Sequence, residues 1–400
     1  MTRRAVRAGE PDVPPVERTG HVWRVRSASA ARQVLRERRA TTQAGFTAEW
    51  IPKGFLKHHP ILISDGPLHD EQRSAVGRFF APKVVAERYL ALMEQCADRL
   101  LAASGSEVVL DELALLYTVE VTAQAVGLTE SSVPAMARRL ESFFNQPPFD
   151  ITRADLGRTP RQWALAAWRG LLPVLRLYLA DVRPAIRVRR RTPGQDVISH
   201  LIGQGYTDAD ILVECVTYGT AGMVTTREFI AMAAWHLVGD EALRARYLVA
   251  GQPERHAILN EIIRLEPVVG HLYRRVRQPF TFTESSTGST ERTTHTPAPG
   301  DLIDLCILPA NADPATVGDH PLEVCPGRPL PAGVNDAVLS FGDGAHRCPG
   351  QPLAILEADV LLRRLLAHGV RVVSEPTIGW DELIAGYTLR GFRLQVGTAT

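Results

Sequence analysis

From about residue 88 to residue 270, apolar side chains recur with a period near 3.6, the signature of helices that each bury one face. The longest predicted helix opens at Thr207-Asp-Ala-Asp210, a capping-box-like start, and runs to about Val238, just before Gly239. At about 1.5 Å per residue it would be on the order of 45 Å long and cross the whole molecule. A second helix is expected from Pro253 to near Glu266, where Pro267 ends it. Residues 271–310 switch to β-branched runs broken by turn residues, the pattern of short strands. Between 311 and 347 the chain is dense in Pro, Gly, Asp and Asn. Long irregular segments are uncommon inside a compact domain and are usually functional. A last helix from Pro352 to His368, closed by Gly369, is followed by strands near Val370–Val373 and Phe392–Val396. The predicted class is mainly α with a small β portion.

Residues 1–20, rich in Pro and Arg, read as a flexible tail, and no internal repeat or low-complexity linker follows. The most apolar stretch, Trp163 to Val182, is interrupted by Arg169, Pro173 and Arg176 and reads as a buried or amphipathic helix. No run reaches the roughly 18 apolar residues of a membrane span, so no membrane anchor is expected.

Composition narrows the partners. The 45 basic and 44 acidic side chains leave a net charge of +1, which argues against nucleic-acid binding. The densest basic run, Arg187 to Arg191, suits a solvated helix end or loop. Five cysteines (Cys96, Cys215, Cys306, Cys325, Cys348) include no C-x-x-C pair, so neither a zinc ribbon nor a dithiol site is indicated. Together with an N-terminus lacking the apolar stretch of a signal peptide, they suggest a cytoplasmic protein with one cysteine kept for chemistry.

That cysteine is Cys348, in Phe341-Gly-Asp-Gly-Ala-His-Arg-Cys-Pro-Gly350 at the end of the irregular segment. Glycines at 342, 344 and 350 permit positive φ and close approach of backbone to a flat ligand. The following helix should present its N-terminus to the sulfur, lowering the thiol pKa and offering N–H donors. A buried free cysteine in a Gly-rich turn would account for Cys348 alone equally well. The full pattern F-G-x-G-x-H-x-C-x-G, with Phe341, Gly342, Gly344, His346, Cys348 and Gly350 at fixed spacing and Ala354 beyond, resembles the haem-binding loop of the cytochrome P450 family. The resemblance implies a single haem-thiolate domain over residues 21–400, a triangular helical body with the long helix over the haem. It also makes Cys348 the proximal ligand of haem b (iron protoporphyrin IX).

Three further segments fit. Glu261-Ile-Ile-Arg264 sets a carboxylate and a guanidinium on one helix face, and the resemblance adds Arg328 to make a structural cluster pinning the loop. Asp65-Gly-Pro67-Leu-His69-Asp-Glu-Gln-Arg73 resembles the family's D-x-P-x-H-x-x-x-R, placing His69 and Arg73 on one face toward a haem propionate. Arg274 matches another propionate ligand, with Arg275 as rival, and His346 would be the fourth contact. Ala310-Asn-Ala-Asp-Pro314 is a looser match, with Ala312 where the family commonly has arginine.

On the long helix, Ala221-Gly-Met-Val-Thr-Thr226 resembles the segment over the distal haem face, with Ala221, Gly222 and Thr225 as its catalytic positions. Gly219 and Gly222 each cost about 1 kcal/mol in a helix interior, which close approach to haem, oxygen or substrate would explain. The family's acid is replaced by Val224. Glu228 or Glu214 could stand in through water, although Glu228 could equally be a surface residue paired with Arg227; or a polar substrate could organise the proton path itself. Otherwise the reaction could be oxidative coupling, cyclisation or desaturation rather than hydroxylation or epoxidation.

The resemblance thus implies a monooxygenase acting on a small organic molecule with dioxygen, in natural-product biosynthesis. Electrons would come from a separate ferredoxin and ferredoxin reductase, since no G-x-G-x-x-G lies between strand and helix. Arg347, Arg363 and Arg364 are candidate ferredoxin contacts. A haem-binding scaffold or sensor without turnover is supported only by Val224, and a haem-free thiol enzyme would need a better-placed histidine than His346. Lids over the pocket are expected at Ala44–Leu62 (Phe46, Trp50, Ile51, Phe55, Leu56) and around Phe143, Phe144 and Phe149.

Overall fold

The computed structural model describes residues 2–5, 14–45, 56–144, 147, 149–153, 155–285, 292–381 and 383–397. Phe46, Trp50, Ile51 and Phe55 of the first expected lid lie outside them. Helices dominate between 66 and 265, as the 3.6 periodicity predicts, and the described residues form four small sheets around them. The largest sheet has five strands in the order Val16–Thr19, Val22–Val25, Leu302–Cys306, His271–Val276, Thr41–Ala44. It is antiparallel except where Val22–Val25 runs parallel to Leu302–Cys306. Two hairpins and a three-stranded sheet complete the β portion. One hairpin, Thr377–Asp381 with Gly386–Arg390, has no counterpart in the sequence expectations.

The expected tail is partly built into the fold. Val16–Thr19 is the edge strand of the main sheet. Arg3 donates to the carbonyls of Leu265 and Leu308, and Ala5 is buried. Apolar Val16 and Val22 on either side of a turn at Gly20 form a hairpin that proline and arginine content concealed.

The long helix comprises Asp208–Tyr218, a π-helical segment Gly219–Val224, and Thr225–Gly239. Its capping box forms as expected, with Thr207 and Asp210 exchanging hydrogen bonds. The π segment is a departure from the uninterrupted helix. Two of its carbonyls accept from side chains: Met223 from the Thr118 hydroxyl at 2.8 Å and Ala221 from the Thr225 hydroxyl. π-bulges free such groups and recur at functional sites. Gly219 and Gly222 serve packing: a Cβ at 219 would lie 2.7 Å from Leu140 Cδ2, and one at 222 would lie 3.2 Å from Thr122 Cγ2. The expected explanation, approach to haem or substrate, gives way for Gly219 to helix contact. Gly222 both packs and borders the cavity described below.

Gln252–Leu265 and Gln351–Ala367 match the other two predicted helices to within a residue. Between 311 and 347 only Pro314–Val317 and Gly344–His346 form short helical turns.

Candidate active site

The Gly-rich loop is closed by the Cys348 N–H, which donates to the Phe341 carbonyl at 2.8 Å. Gly342 and Gly344 adopt φ of 69° and 68°, and a Cβ at 344 would run into the Leu35 backbone. Asp343, which drew no attention in the sequence, anchors the loop. Its Oδ2 accepts from Arg32 Nε at 2.8 Å and Arg36 Nε at 3.1 Å. Burial raises its pKa, but the hydrogen bonds from Arg32, the Gly344 N–H and Arg36 outweigh that and hold the carboxyl below its ordinary value. The i, i+4 spacing of Arg32 and Arg36 was the available signal.

Backbone N–H groups of Gly350 and Gln351, where the Gln351–Ala367 helix begins, point at the Cys348 sulfur, with Arg73 and Arg347 nearby. The expectation of a lowered thiol pKa is nonetheless corrected. Burial is the largest influence and raises it, so these donors only partly compensate in the free thiol.

Behind the loop, Glu261 and Arg264 make a bidentate pair at 2.7 and 2.8 Å, with Arg264 fully buried. Arg264 also donates to the carbonyls of Asn311, Pro321 and Glu323. Arg328 reaches Glu261 at 3.1 Å and donates to the carbonyls of Val317, Asp319, His320 and Glu323. Two guanidinium groups thereby bind the irregular segment to one helix. Asn311 adds a second tie: it donates to the Arg264 carbonyl and Ser340 Oγ and accepts from the Leu339 N–H.

A cavity of about 300 Å³ lies between the loop and the long helix. Phe341, Gly342, His346, Cys348 and Gly350 line one side, Ala221, Gly222 and Thr225 another, and His69, Arg73 and Arg274 an edge. The structure therefore gathers all these sequence-singled residues around one space. Arg274 rather than Arg275 faces it, because strand alternation sends Leu272 and Arg274 inward. Arg275 instead donates to the Gly300 carbonyl.

The cationic edge has a distinct electrostatic character. His69 packs against His346 with ring centroids 4.1 Å apart and the planes tilted by 31°. Burial, then His346 and Arg73, push the His69 pKa down to about 4, so it is neutral at pH 7. Burial also lowers His346, against the pull of Asp65 at 3.1 Å. Arg274 is 3% exposed, and burial lowers its pKa to about 10. Its guanidinium donates to Gln43 and to the Tyr273 carbonyl, not to a carboxylate. A buried guanidinium without an acid partner is costly. The carboxylates nearby include Asp65, 3.1 Å from His346, and Asp70, 3.8 Å from His69. Neither hydrogen-bonds the buried Arg274, whose charge calls for an anionic group from a ligand. With a thiol at the floor and apolar walls from residues such as Leu62, Phe144 and Val269, the donor set fits a flat, metal-bearing, dicarboxylate cofactor such as haem.

On the distal side Val224 is buried and is not part of the cavity lining. Glu228 is no surface residue: it is fully buried, and it accepts from Arg227, Arg390 and the Leu389 N–H. Only its pairing with Arg227 matches expectation. Glu214 differs. One oxygen accepts from the Ile61 N–H at 2.9 Å, and the other is buried without a hydrogen-bond partner. Burial raises its pKa to about 7. One turn later Tyr218 lines the cavity, its hydroxyl buried and also unpartnered.

Of the lid aromatics, Phe144 lines the cavity, whereas Phe149 lies beneath the Arg158 guanidinium. Among the proposed partner-facing cations, Arg363 and Arg364 are engaged with Glu94, and Arg364 also with Asp98. Arg347 remains exposed and bonds Gln351. Arg189 and Arg190 of the basic run pair with Asp196 and Asp208 at a helix end.

Comparisons with known proteins bear on the same site. The family model "Cytochrome P450" matches residues 255–368, from the Glu261 helix through the cysteine loop into the last helix. Erythromycin C-12 hydroxylase of Saccharopolyspora erythraea is 27% identical over 78% of this chain and 73% of its own length. Cytochrome P450 monooxygenase PikC of Streptomyces venezuelae is 27% identical over 86% of this chain and 77% of its own. The crystal structure of ligand-free Mycobacterium smegmatis CYP164A2 superposes with a TM-score of 0.73 at 27% identity, covering 94% of this chain and 91% of that one. The motif spacing, the cavity it encloses and these likenesses agree, and the chain belongs to the cytochrome P450 family of haem-iron oxidoreductases.

Proposed function

We propose that this protein is a monooxygenase that binds haem b with Cys348 as proximal ligand and hydroxylates or epoxidises a small, largely apolar organic molecule. The observation that carries the reading is one cavity with a cysteine sulfur at its floor, Ala221 and Thr225 opposite, and the half-buried Arg73 and buried Arg274 at its edge. Bound there, haem iron supplies dioxygen activation, and a thiolate ligand donates electron density that favours O–O cleavage. Cys348 would hold the iron as a thiolate, and the N–H groups of Gly350 and Gln351 would stabilise the sulfur's charge. Arg73 and Arg274, with His69 and His346 as neutral donors, would neutralise and orient two propionates. Glu261, Arg264 and Arg328 act structurally, holding the loop.

Thr225 borders the cavity and donates its hydroxyl proton to the Ala221 carbonyl, leaving the oxygen to accept from within. Glu228 is committed to two arginines, so Glu214 is the better stand-in for the missing acid. Its unpartnered oxygen can hold a proton near neutral pH, and Tyr218 continues the polar line toward the cavity. Natural-product chemistry is suggested by the apolar walls and by the relatives named as erythromycin and PikC oxygenases. Electrons would arrive from a separate ferredoxin and its reductase, with Arg347 beside Cys348 as a contact. The five free cysteines suit a reducing cytoplasm.

Val224, buried and apolar where an acid is expected, favours oxidative coupling, cyclisation or desaturation as the second reading. Turnover under isotopically heavy dioxygen with a surrogate ferredoxin system separates the two. Monooxygenation puts one heavy oxygen atom into product. A product that has lost hydrogen and gained no label sinks the first reading in favour of the second.

A further inference from the structure

An apolar crest runs along the helical stretch Pro160–Leu177, Tyr178–Val182 and Arg183–Arg191. Its inner side, including Ala166, Leu177, Val182 and Ile186, is buried. On the outer side Leu165 is 41% exposed, Trp168 65%, Leu171 69%, Leu175 52% and Leu179 50%. With Val188, six of the eleven strongly exposed large apolar side chains among the described residues sit on this one stretch. Scattered exposed leucines need no explanation, but a contiguous crest does. From Leu165 to Leu179 it extends on the order of 20 Å.

The polar residues of the stretch are one-sided in charge. Arg161, Arg169, Arg176, Arg183, Arg187 and Arg191 make no ion pair or hydrogen bond through their side chains among the described residues. The single acid, Asp181, is buried and held by Arg139 and Ser131. Trp168, Leu175 and Leu179 follow one another at spacings of seven and four, so they share a face, and Arg169 and Arg176 each stand next to it.

We infer that this face docks on a lipid surface carrying anionic headgroups, the helix lying in the interface with Trp168 and the leucines among the acyl chains. Trp and Leu on one side with arginine around them are the features of helices that lie on membranes. No described helix is long and apolar enough to cross a membrane, so the contact is peripheral. The crest is a ridge, its side chains open on their outer side, which inserts into a deformable medium more readily than into a protein partner lacking a matching groove. A second copy of the chain would bring the unpaired arginines against their like. The neighbouring helix Val133–Phe144 contributes Phe144 to the cavity, so docking places that side of the active site next to a reservoir of apolar molecules.

Flotation of the haem-loaded protein with phosphatidylcholine vesicles, with and without phosphatidylglycerol, tests this, the bound fraction being read from haem absorbance. Binding is expected only with the anionic lipid, and high salt should reverse it. The paired change Trp168→Ser and Leu171→Ser should weaken it about tenfold or more. Each of Arg169→Gln and Arg176→Gln should weaken it about fivefold. All four side chains face outward, and an unaltered haem spectrum shows that a variant is folded. No binding to anionic vesicles, or equal binding by the Trp168/Leu171 variant, overturns the inference. Overturning it in that way leaves two occupants to distinguish: sedimentation velocity would reveal a dimer through this face, and its absence would point to an acidic protein.

Discussion

Glu214 and Glu228 stand on the same long helix and both are buried, but their carboxylates meet opposite surroundings. Glu228 is gripped by Arg227 and Arg390, whereas Glu214 has one N–H partner and one bare oxygen. Burial raises the Glu214 pKa from 4.5 to about 7, so the folded chain holds that proton more tightly than the unfolded one. The stability this provides is complete below pH 4.5 and is lost as pH rises through about 7. Glu214→Gln should remove that decline, with a relative gain above the window on the order of 3 kcal/mol at most. Denaturant unfolding of both proteins on either side of the window measures it. If Glu214 also feeds protons to the cavity, the same variant releases more peroxide per electron consumed. At the cofactor edge, Arg274→Gln should accelerate haem loss to a scavenger apoprotein by about tenfold or more. Arg275→Gln, on the opposite side of the strand, should leave it unchanged; equal effects would contradict the assignment of Arg274.

Among the elements, the irregular segment depends on the Glu261 cluster for its shape. Glu261→Gln removes the charge that Arg264 and Arg328 share and leaves a guanidinium buried without its counter-charge. A loss on the order of 3–5 kcal/mol is expected, with purified protein largely free of haem. Denaturation midpoints and the haem-to-protein absorbance ratio are the readouts, and a near-native variant would show that the cluster is dispensable. The cluster was legible in the sequence because i, i+3 spacing fixes two of its members on one face. The π segment was not, since its freed carbonyls are satisfied by Thr118, more than 100 positions away, as well as by local Thr225. Gly219 and Gly222 marked the place, but for Gly219 the cause is contact with Leu140 rather than approach to the cavity.

Across the molecule, what the sequence disclosed was chemistry tied to spacing: the cysteine loop, the histidine and arginine four apart, the long helix. It missed features set by distant partners. Glu228 meets Arg390 across 162 positions, and Asp343 meets Arg32 across 311. The N-terminal strand was hidden by its composition and became visible only through its pairing with Val22–Val25. The central claim, thiolate ligation of haem by Cys348, rests on all these scales at once. Its most direct test is the absorption spectrum of the reduced protein under carbon monoxide, for wild type and Cys348→Ser. A strongly red-shifted Soret band in the wild type, absent from the serine variant, is the predicted result. A wild type without that band, or a variant that keeps it, would contradict the account.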